Sequence, residues 1–285
     1  MPRLFERAAI AGVGLIGGSL ALAARRAGLI GEVVGLARRA ETLAEAKQRG
    51  LVDRATNDPA DAARGADLLV LAVPVRAIAG VARACVPTLA TGAVITDAGS
   101  VKAIVVRELE AVAAAGQHVV GAHPIAGTED TGPAAATADL FRDQLCILTP
   151  TARTDTAAAD RIQALWEGVG MRVTRMTPER HDEVLAAVSH LPHVIAFALM
   201  NAIAAAGGDL PHYSGGSLRD ATRVAASSVD MWRDILFANR EAIDHALTGF
   251  TAEVDRVRDA IRRGDEAALT ELLTRARVAR RGWKA

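Results

Sequence analysis

Short apolar runs punctuate the first part of the chain. "AAIAGVG", "EVVGLA", "ADLLVLAVP", "AVITDAGS", "HVVGAHP", "QLCILTP" and "MRVTRMTP" are nearly continuous in apolar residues rather than alternating. Runs of this kind read as strands covered on both faces. Between them lie helical stretches, at residues 19–27, 42–49, 101–115 and 156–169. Strands that alternate with helices predict an α/β fold with a doubly wound, mostly parallel sheet.

The pattern changes at Pro178. Thr177 is suited to cap a helix, Pro178 fits the first helical position, and acids follow in the first turn. No strand pattern recurs beyond this point. Ile243, Ala246, Leu247, Phe250, Val254, Val257 and Ile261 recur at three- and four-residue steps and form one apolar helical stripe. The expected division is therefore residues 1–178, built on the sheet, and residues 179–285, all helical. "AAAGGDLPHYSGGS" (204–217) is the one long loop-like interruption in the second part.

Composition narrows the function classes. With 33 basic and 33 acidic residues the chain is formally neutral, and only 3% of it is aromatic. Nucleic-acid binding rests on clustered positive charge and stacking platforms, and neither is evident. The same lack of clustered positive charge argues against a membrane-surface protein. The uncharged run from Ala8 to Ala24 contains four glycines and is short for a bilayer span, so it reads as strand, turn and helix. Cys85 and Cys146 fit no metal spacing, and no metal is expected. Two thiols in apolar surroundings fit a reducing, cytoplasmic setting.

"GVGLIGGS" sharpens the first half. Gly12, Gly14 and Gly17 form G-x-G-x-x-G at the end of a strand and the start of a helix, within a β–α–β unit. This is the dinucleotide-binding pattern of a Rossmann-type domain. The glycines permit the tight turn, the approach of a pyrophosphate and close helix–strand packing. Leu15 and Ile16 lie inside the same turn. The second strand runs into Ala37-Arg38-Arg39, where an acid would hold a free ribose 2′-hydroxyl. Two guanidiniums in place of that acid favour NADP+ over NAD+. Val73 and Pro74 end another strand and are placed to wall the nicotinamide side.

Candidate chemistry gathers at strand ends, where ligands of open α/β sheets bind. "TDAGSVK" places Ser100 and Lys102 there, and "GAHPIAGTE" places His123, Thr128 and Glu129. In the helical half, "SHLPHVIAFAL" puts His190 and His193 three apart on one face. "RDATRVAASSVDMWRDI" carries Asp220, Arg223 and Trp232. Taken alone these could be ordinary strand-end and amphipathic-helix residues.

Together, "GVGLIGGSL", "TDAGSVK", "GAHPIAGTE", "SHLPHVIAFAL" and "RDATRVA…MWRDI" resemble the prephenate and arogenate dehydrogenase family of tyrosine biosynthesis, in family order from about residue 8 to residue 240. The resemblance implies hydride transfer from a cyclohexadienyl ring to NAD(P)+ with loss of CO2 as the ring becomes aromatic. It implies that His123 takes the ring hydroxyl proton and that Ser100 orients His123 and the nicotinamide. Arg223 would hold a substrate carboxylate, His193 would face the substrate with Asp220 orienting it, and Thr128 would contact it. The family tryptophan matching Trp232 lies near the active site of the partner subunit, so a homodimer joined by the helical domain is expected. The match departs from the pattern at Ser227-Ser228-Val229-Asp230, where Ser-Asp-Pro is usual, and at Leu218, where phenylalanine is frequent.

Prephenate and arogenate stay open as substrates, as does a dual-specificity enzyme. A 2- or 3-hydroxy-acid dehydrogenase of similar architecture would call for a lysine acid/base in the helical half, and no lysine stands between Lys102 and Lys284. A dinucleotide-sensing protein would give His123, His193 and Arg223 no reason to converge.

Overall fold

The computed structural model describes residues 2–128, 130–208 and 210–283. Eight strands form one sheet in the order β3-β2-β1-β4-β5-β6-β7-β8. They are β1 (Phe5–Ala11), β2 (Ile30–Leu36), β3 (Arg54–Thr56), β4 (Leu68–Leu71), β5 (Val94–Asp97), β6 (His118–Ile125), β7 (Leu145–Thr149) and β8 (Arg172–Arg175). The short edge strand β3, with the sequence Arg-Ala-Thr, has no apolar run to announce it. It is one strand more than the seven runs read in the sequence.

The chain crosses between most strands through helices: α1 (Leu15–Arg26), α2 (Ala40–Gln48), α3 (Pro59–Ala63), α4 (Val75–Cys85), α5 (Ala103–Val112) and α6 (Thr156–Gly168). Each crossover returns the chain parallel to where it began. Between β6 and β7 the described residues form one 3-10 turn, Pro133–Ala135, and no α-helix, so the chain reverses and β6 pairs antiparallel with β7. Both faces of the sheet are covered. Leu20, Phe141 and Trp166 pack on one side, and Ile78, Cys85, Val105 and Leu109 on the other. This double cover explains why β4 is apolar and buried along its whole length.

The sheet turns at β1, whose neighbours are β2 and β4. The loops after β1 and β4 leave the sheet in opposite directions and open a crevice between them. Gly12 sits at the end of β1 with φ +92°, and a side chain there would overlap the Ala72 carbonyl just after β4. Gly17 lies in the first turns of α1, where a Cβ would overlap the Gly12 carbonyl oxygen. These two glycines let the helix start directly on the strand end.

After β8 the described residues contain no strand. They form α7 (Pro178–Leu185), α8 (Leu191–Ala206), α9 (Gly216–Thr222), α10 (Val229–Ala238), α11 (Arg240–Arg263) and α12 (Glu266–Gly282). The Thr177 side chain accepts a hydrogen bond from the Arg180 N–H, and Pro178 occupies the first turn, as the sequence predicts. The stretch read as a loop carries a 3-10 turn at Leu210–Tyr213. A π-helical turn, Ala186–His190, joins α7 to α8. Pro192 follows it and has no N–H to donate, which suits a widened turn just before it.

By length and composition, the run Pro178–Ala206 is apolar enough to cross a bilayer. Its N-terminal part carries buried His181, Asp182 and His190. The α11 stripe is partly uncovered within one chain: Phe250, Val254 and Ile261 are exposed, whereas Ile243 is buried. A cavity of about 590 Å³ beside it is lined by Val194, Phe197, Trp232, Leu236 and Leu247, among others.

Candidate active site

β6 runs past the end of β5. β5 pairs with it only from His118 to Val120, whereas Gly121 to Ile125 pair with β7. The overhang carries His123, which is only 9% exposed. The backbone just before it is fixed by a fully buried ion pair between Lys102 and Asp97. Lys102 Nζ donates to the Ala122 carbonyl at 2.7 Å, and Asp97 accepts the N–H groups of Ala122 and Gly99. Lys102, noted in the sequence as a strand-end residue, is thus buried beneath the crevice.

The partner that the structure gives His123 is His181. His123 Nδ1 and His181 Nε2 lie 2.8 Å apart. His181 Nδ1 lies 2.8 Å from Asp182 Oδ1. The same carboxylate accepts the N–H groups of Lys102 and Ala103 at the start of α5, at 2.8 and 2.9 Å. Helix α7 is thereby hydrogen-bonded to α5, and the histidine of the sheet domain is held from the helical half. Asn239, between α10 and α11, donates from Nδ2 to the Asp182 carbonyl and also lies 3.1 Å from His190 Nδ1.

Burial keeps these imidazoles neutral. It is the largest cause at each of them, since a buried cation loses its hydration. His123 is held well below the usual histidine value by burial, and then by the neighbouring His181, Lys102 and His190. His181 is lowered by burial in spite of its bond to Asp182. His190 is brought down from 6.5 to about 4. His193 is lowered by burial and by the Arg223 guanidinium, against a raising hydrogen bond to the Ser189 carbonyl.

The opposite wall comes from α8 and α10. His193 stacks on Trp232 with ring centroids 3.6 Å apart and planes 24° from parallel. His190 meets the same indole edge-on at 5.9 Å. The two histidines do share a face, as their spacing predicts. Trp232 is buried within its own chain and packs with Val101 and Ile235, and its indole N–H has no hydrogen-bond partner among the described residues. The departure at Ser227–Asp230 does not unravel this helix: the Ser228 side chain caps α10 by accepting the Met231 N–H. His193 Nδ1 is engaged by the Ser189 carbonyl at 2.9 Å, and Asp220 is exposed on α9. A backbone carbonyl therefore orients the Nδ1 side of His193. Arg223 follows α9 in the next turn, with its charge felt at His193.

Ser100 is half-buried in the loop between β5 and α5. Thr128 is exposed, and its hydroxyl accepts the Asp130 N–H. Glu129 lies outside the described residues. His181 and Asp182 were missed in the sequence. "TPERHDEV" reads there as a helix start with acids in its first turn, and only the fold shows that its histidine reaches another domain.

The glycine-rich turn suits a dinucleotide. Gly14 caps α1 without a side chain, and the first turn of α1 contains no acid. The N–H groups at the start of that helix are thus open to an anion. A Cβ on Gly14 would meet nothing closer than Gly132, at 3.9 Å, so Gly14 leaves room there. Leu15 and Ile16 are half-buried beside it, Val73 is half-buried, and Pro74 caps α4 across the crevice. Arg38 and Arg39 are exposed just beyond β2.

The family description "Prephenate dehydrogenase, nucleotide-binding domain" matches residues 20–175, and "Prephenate dehydrogenase, dimerization domain" matches residues 177–275. The chain is 41% identical to the cyclohexadienyl dehydrogenase of Zymomonas mobilis, over 97% of this chain and 96% of that protein. It is 31% identical to the prephenate dehydrogenase of Bacillus subtilis, over 99% of this chain and 77% of that one. The crystal structure of the Aquifex aeolicus prephenate dehydrogenase, in complex with hydroxyphenyl propionate and NAD+, superposes with a TM-score of 0.91 at 36% identity. It covers 96% of this chain and 97% of that one.

The glycines divide by what surrounds them. Gly17→Ala is expected to lose about 1–3 kcal/mol of stability to overlap. Gly14→Ala is expected to stay within about 1 kcal/mol of the parent while its dinucleotide affinity drops. Urea unfolding alongside fluorescence titration separates the two; equal stability of both variants contradicts the assignment.

The lowered histidines set a pH dependence. Their folded values lie below their unfolded ones, so the unfolded chain binds more protons as the pH falls below 6.5. Their stabilisation is complete above that pH and lost on acidification, for His190 from 6.5 down to about 4. The loss from His190 alone is roughly 2 kcal/mol by pH 5. Urea midpoints at pH 7.5 and 5 check this, and a flat profile contradicts it.

Proposed function

Because the chain belongs to the prephenate dehydrogenase family, we propose that it oxidatively decarboxylates prephenate to 4-hydroxyphenylpyruvate with NAD(P)+ as hydride acceptor, in tyrosine biosynthesis. The observation that carries this reading is a neutral, buried His123 on the stretch of β6 that runs past β5, in the same sheet whose β1 ends in the glycine-rich turn. When bound, the nicotinamide supplies a hydride acceptor; every other task falls to side chains.

His123 accepts the proton of the ring hydroxyl as hydride leaves the same carbon. A base must be unprotonated at working pH, and burial provides that. Loss of CO2 then yields the aromatic ring, so the protein needs mainly to orient and to manage charge. Arg223 holds a substrate carboxylate with a planar fork of donors. His193, stacked on Trp232, forms an apolar, partly polar wall for the ring. Ser100, on the loop below His123, completes the nicotinamide side, and Thr128 the rim. Gly12, Gly14, Leu15, Ile16 and Gly17 take the pyrophosphate, and Val73 and Pro74 the nicotinamide.

The boundary at residue 178 divides the labour: residues 1–178 bind dinucleotide, and residues 179–285 bind substrate and pair with a second copy. The uncovered stripe of α11, the apolar groove beside it and the match to a dimerization domain support a homodimer. A second copy would also cover the apolar face of α8. The buried free thiols Cys85 and Cys146 are in keeping with a cytoplasmic enzyme.

Arogenate, or both substrates, is the second reading, favoured by the 41% identity to a cyclohexadienyl dehydrogenase. Ala37 in place of an acid and exposed Arg38 and Arg39 favour NADP+, with the 2′-phosphate between the guanidiniums. Steady-state rates for prephenate and arogenate, each with NAD+ and NADP+, test these choices together. The expected maximum of kcat/KM is prephenate with NADP+. Higher values with arogenate or with NAD+ overturn the respective choice, and no turnover of either ring substrate overturns the function.

A further inference from the structure

The chain of hydrogen bonds behind His123 has a direction. Asp182 takes part in three contacts, with the N–H of Lys102, the N–H of Ala103 and His181 Nδ1. The two backbone groups can only donate, and a carboxylate can only accept. His181 Nδ1 therefore carries a proton. A neutral imidazole has one donor and one acceptor, so His181 Nε2 is bare. It faces His123 Nδ1 at 2.8 Å, and that nitrogen must be the donor. His123 Nε2, the nitrogen remote from His181, is then left without a proton.

We propose that His181 and Asp182 are positioning residues that lock His123 in the tautomer with its proton on Nδ1, so that Nε2 is presented as the base. The proposal rests on the proposed function for what the base acts on, but the tautomer itself does not. The opposite arrangement needs a proton on His181 Nε2 as well as Nδ1. That would be a buried cation, with the Lys102 ammonium nearby and little water. The alternative tautomer of His123 would point two bare nitrogens at one another across 2.8 Å and leave a hydrogen bond unmade.

The lock has two consequences. It fixes the ring plane and its proton before substrate arrives, the task of the acid in a serine–histidine–aspartate triad. It also gives the imidazolium that forms on proton uptake a hydrogen-bonded path to a carboxylate. Because His181 and Asp182 lie on α7 and His123 lies on β6, the base is competent only when the helical half is docked on the sheet.

The first test needs no substrate. The dimeric or monomeric wild-type protein, labelled with 15N-histidine, is examined near pH 7.5 by long-range proton–nitrogen correlation, which distinguishes a protonated ring nitrogen from a bare one. The His123 signals are assigned by their loss in His123→Asn. Protonated Nδ1 and bare Nε2 are expected, and the reverse pattern overturns the proposal. The second test uses His181→Phe, which removes the acceptor, and His181→Gln, whose amide can accept from His123 and donate to Asp182. The phenylalanine variant is expected to lose on the order of 10²-fold in kcat with its dinucleotide affinity retained, and the glutamine variant to recover part of that loss. A kcat near wild type in His181→Phe, or equal losses in both variants, overturns the positioning role. If His181→Phe does not fold, the wild-type spectrum decides. If the wild-type enzyme turns over neither ring substrate, the proposed function falls while the spectrum still judges the tautomer.

Discussion

The Asp182 carboxylate accepts hydrogen bonds from the first turn of α5 and from His181, and its own carbonyl accepts from Asn239. Sheet domain, α7 and the α10–α11 junction therefore meet on one buried residue. Each donor that lost this acceptor would be orphaned out of reach of water, at about 1–3 kcal/mol apiece. The junction is therefore held firmly beside His123, the proposed base. His181 is held by this contact directly, His123 through His181, and His190 through Asn239.

The crevice combines two kinds of constraint. On one side it is shaped by what is absent: Gly12 and Gly17 keep side chains out of backbone contacts, and Gly14 leaves room over the first turn of α1. On the other side it is shaped by buried polar groups satisfied one by one. The Asp97–Lys102 pair illustrates the second kind. Both side chains are fully buried; Lys102 also donates to the Ala122 carbonyl, and Asp97 also accepts the N–H groups of Ala122 and Gly99. A buried ion pair of this sort is poor evidence for stability, because desolvation offsets the attraction. Here it fixes the main chain one residue before His123.

Much of the fold was legible in the sequence because covered strands and glycine turns leave local signatures. The runs at β1, β4 and β6 each carry their own apolar pattern, and Thr177-Pro178 announces α7 in two residues. β3 was not legible, since three residues with one small apolar side chain carry no period. At the site, His123, His193, Arg223 and Trp232 stood out through resemblance rather than pattern. His181 and Asp182 did not, because their importance lies in long-range hydrogen bonds to residues about 58 and 80 positions away. Asp220 was paired with His193 through resemblance alone; in the structure the His193 Nδ1 contact goes to the Ser189 carbonyl, one helical turn before it.

In the proposed reaction His123 removes the substrate proton while the glycine-rich turn independently holds the dinucleotide. His123→Asn keeps a polar group of similar shape and removes the base. Its kcat and its dinucleotide affinity, measured on the same preparation, separate the two roles. A fall in kcat of about 10²–10⁴-fold with dinucleotide affinity unchanged is expected. Turnover close to that of the wild type would contradict it.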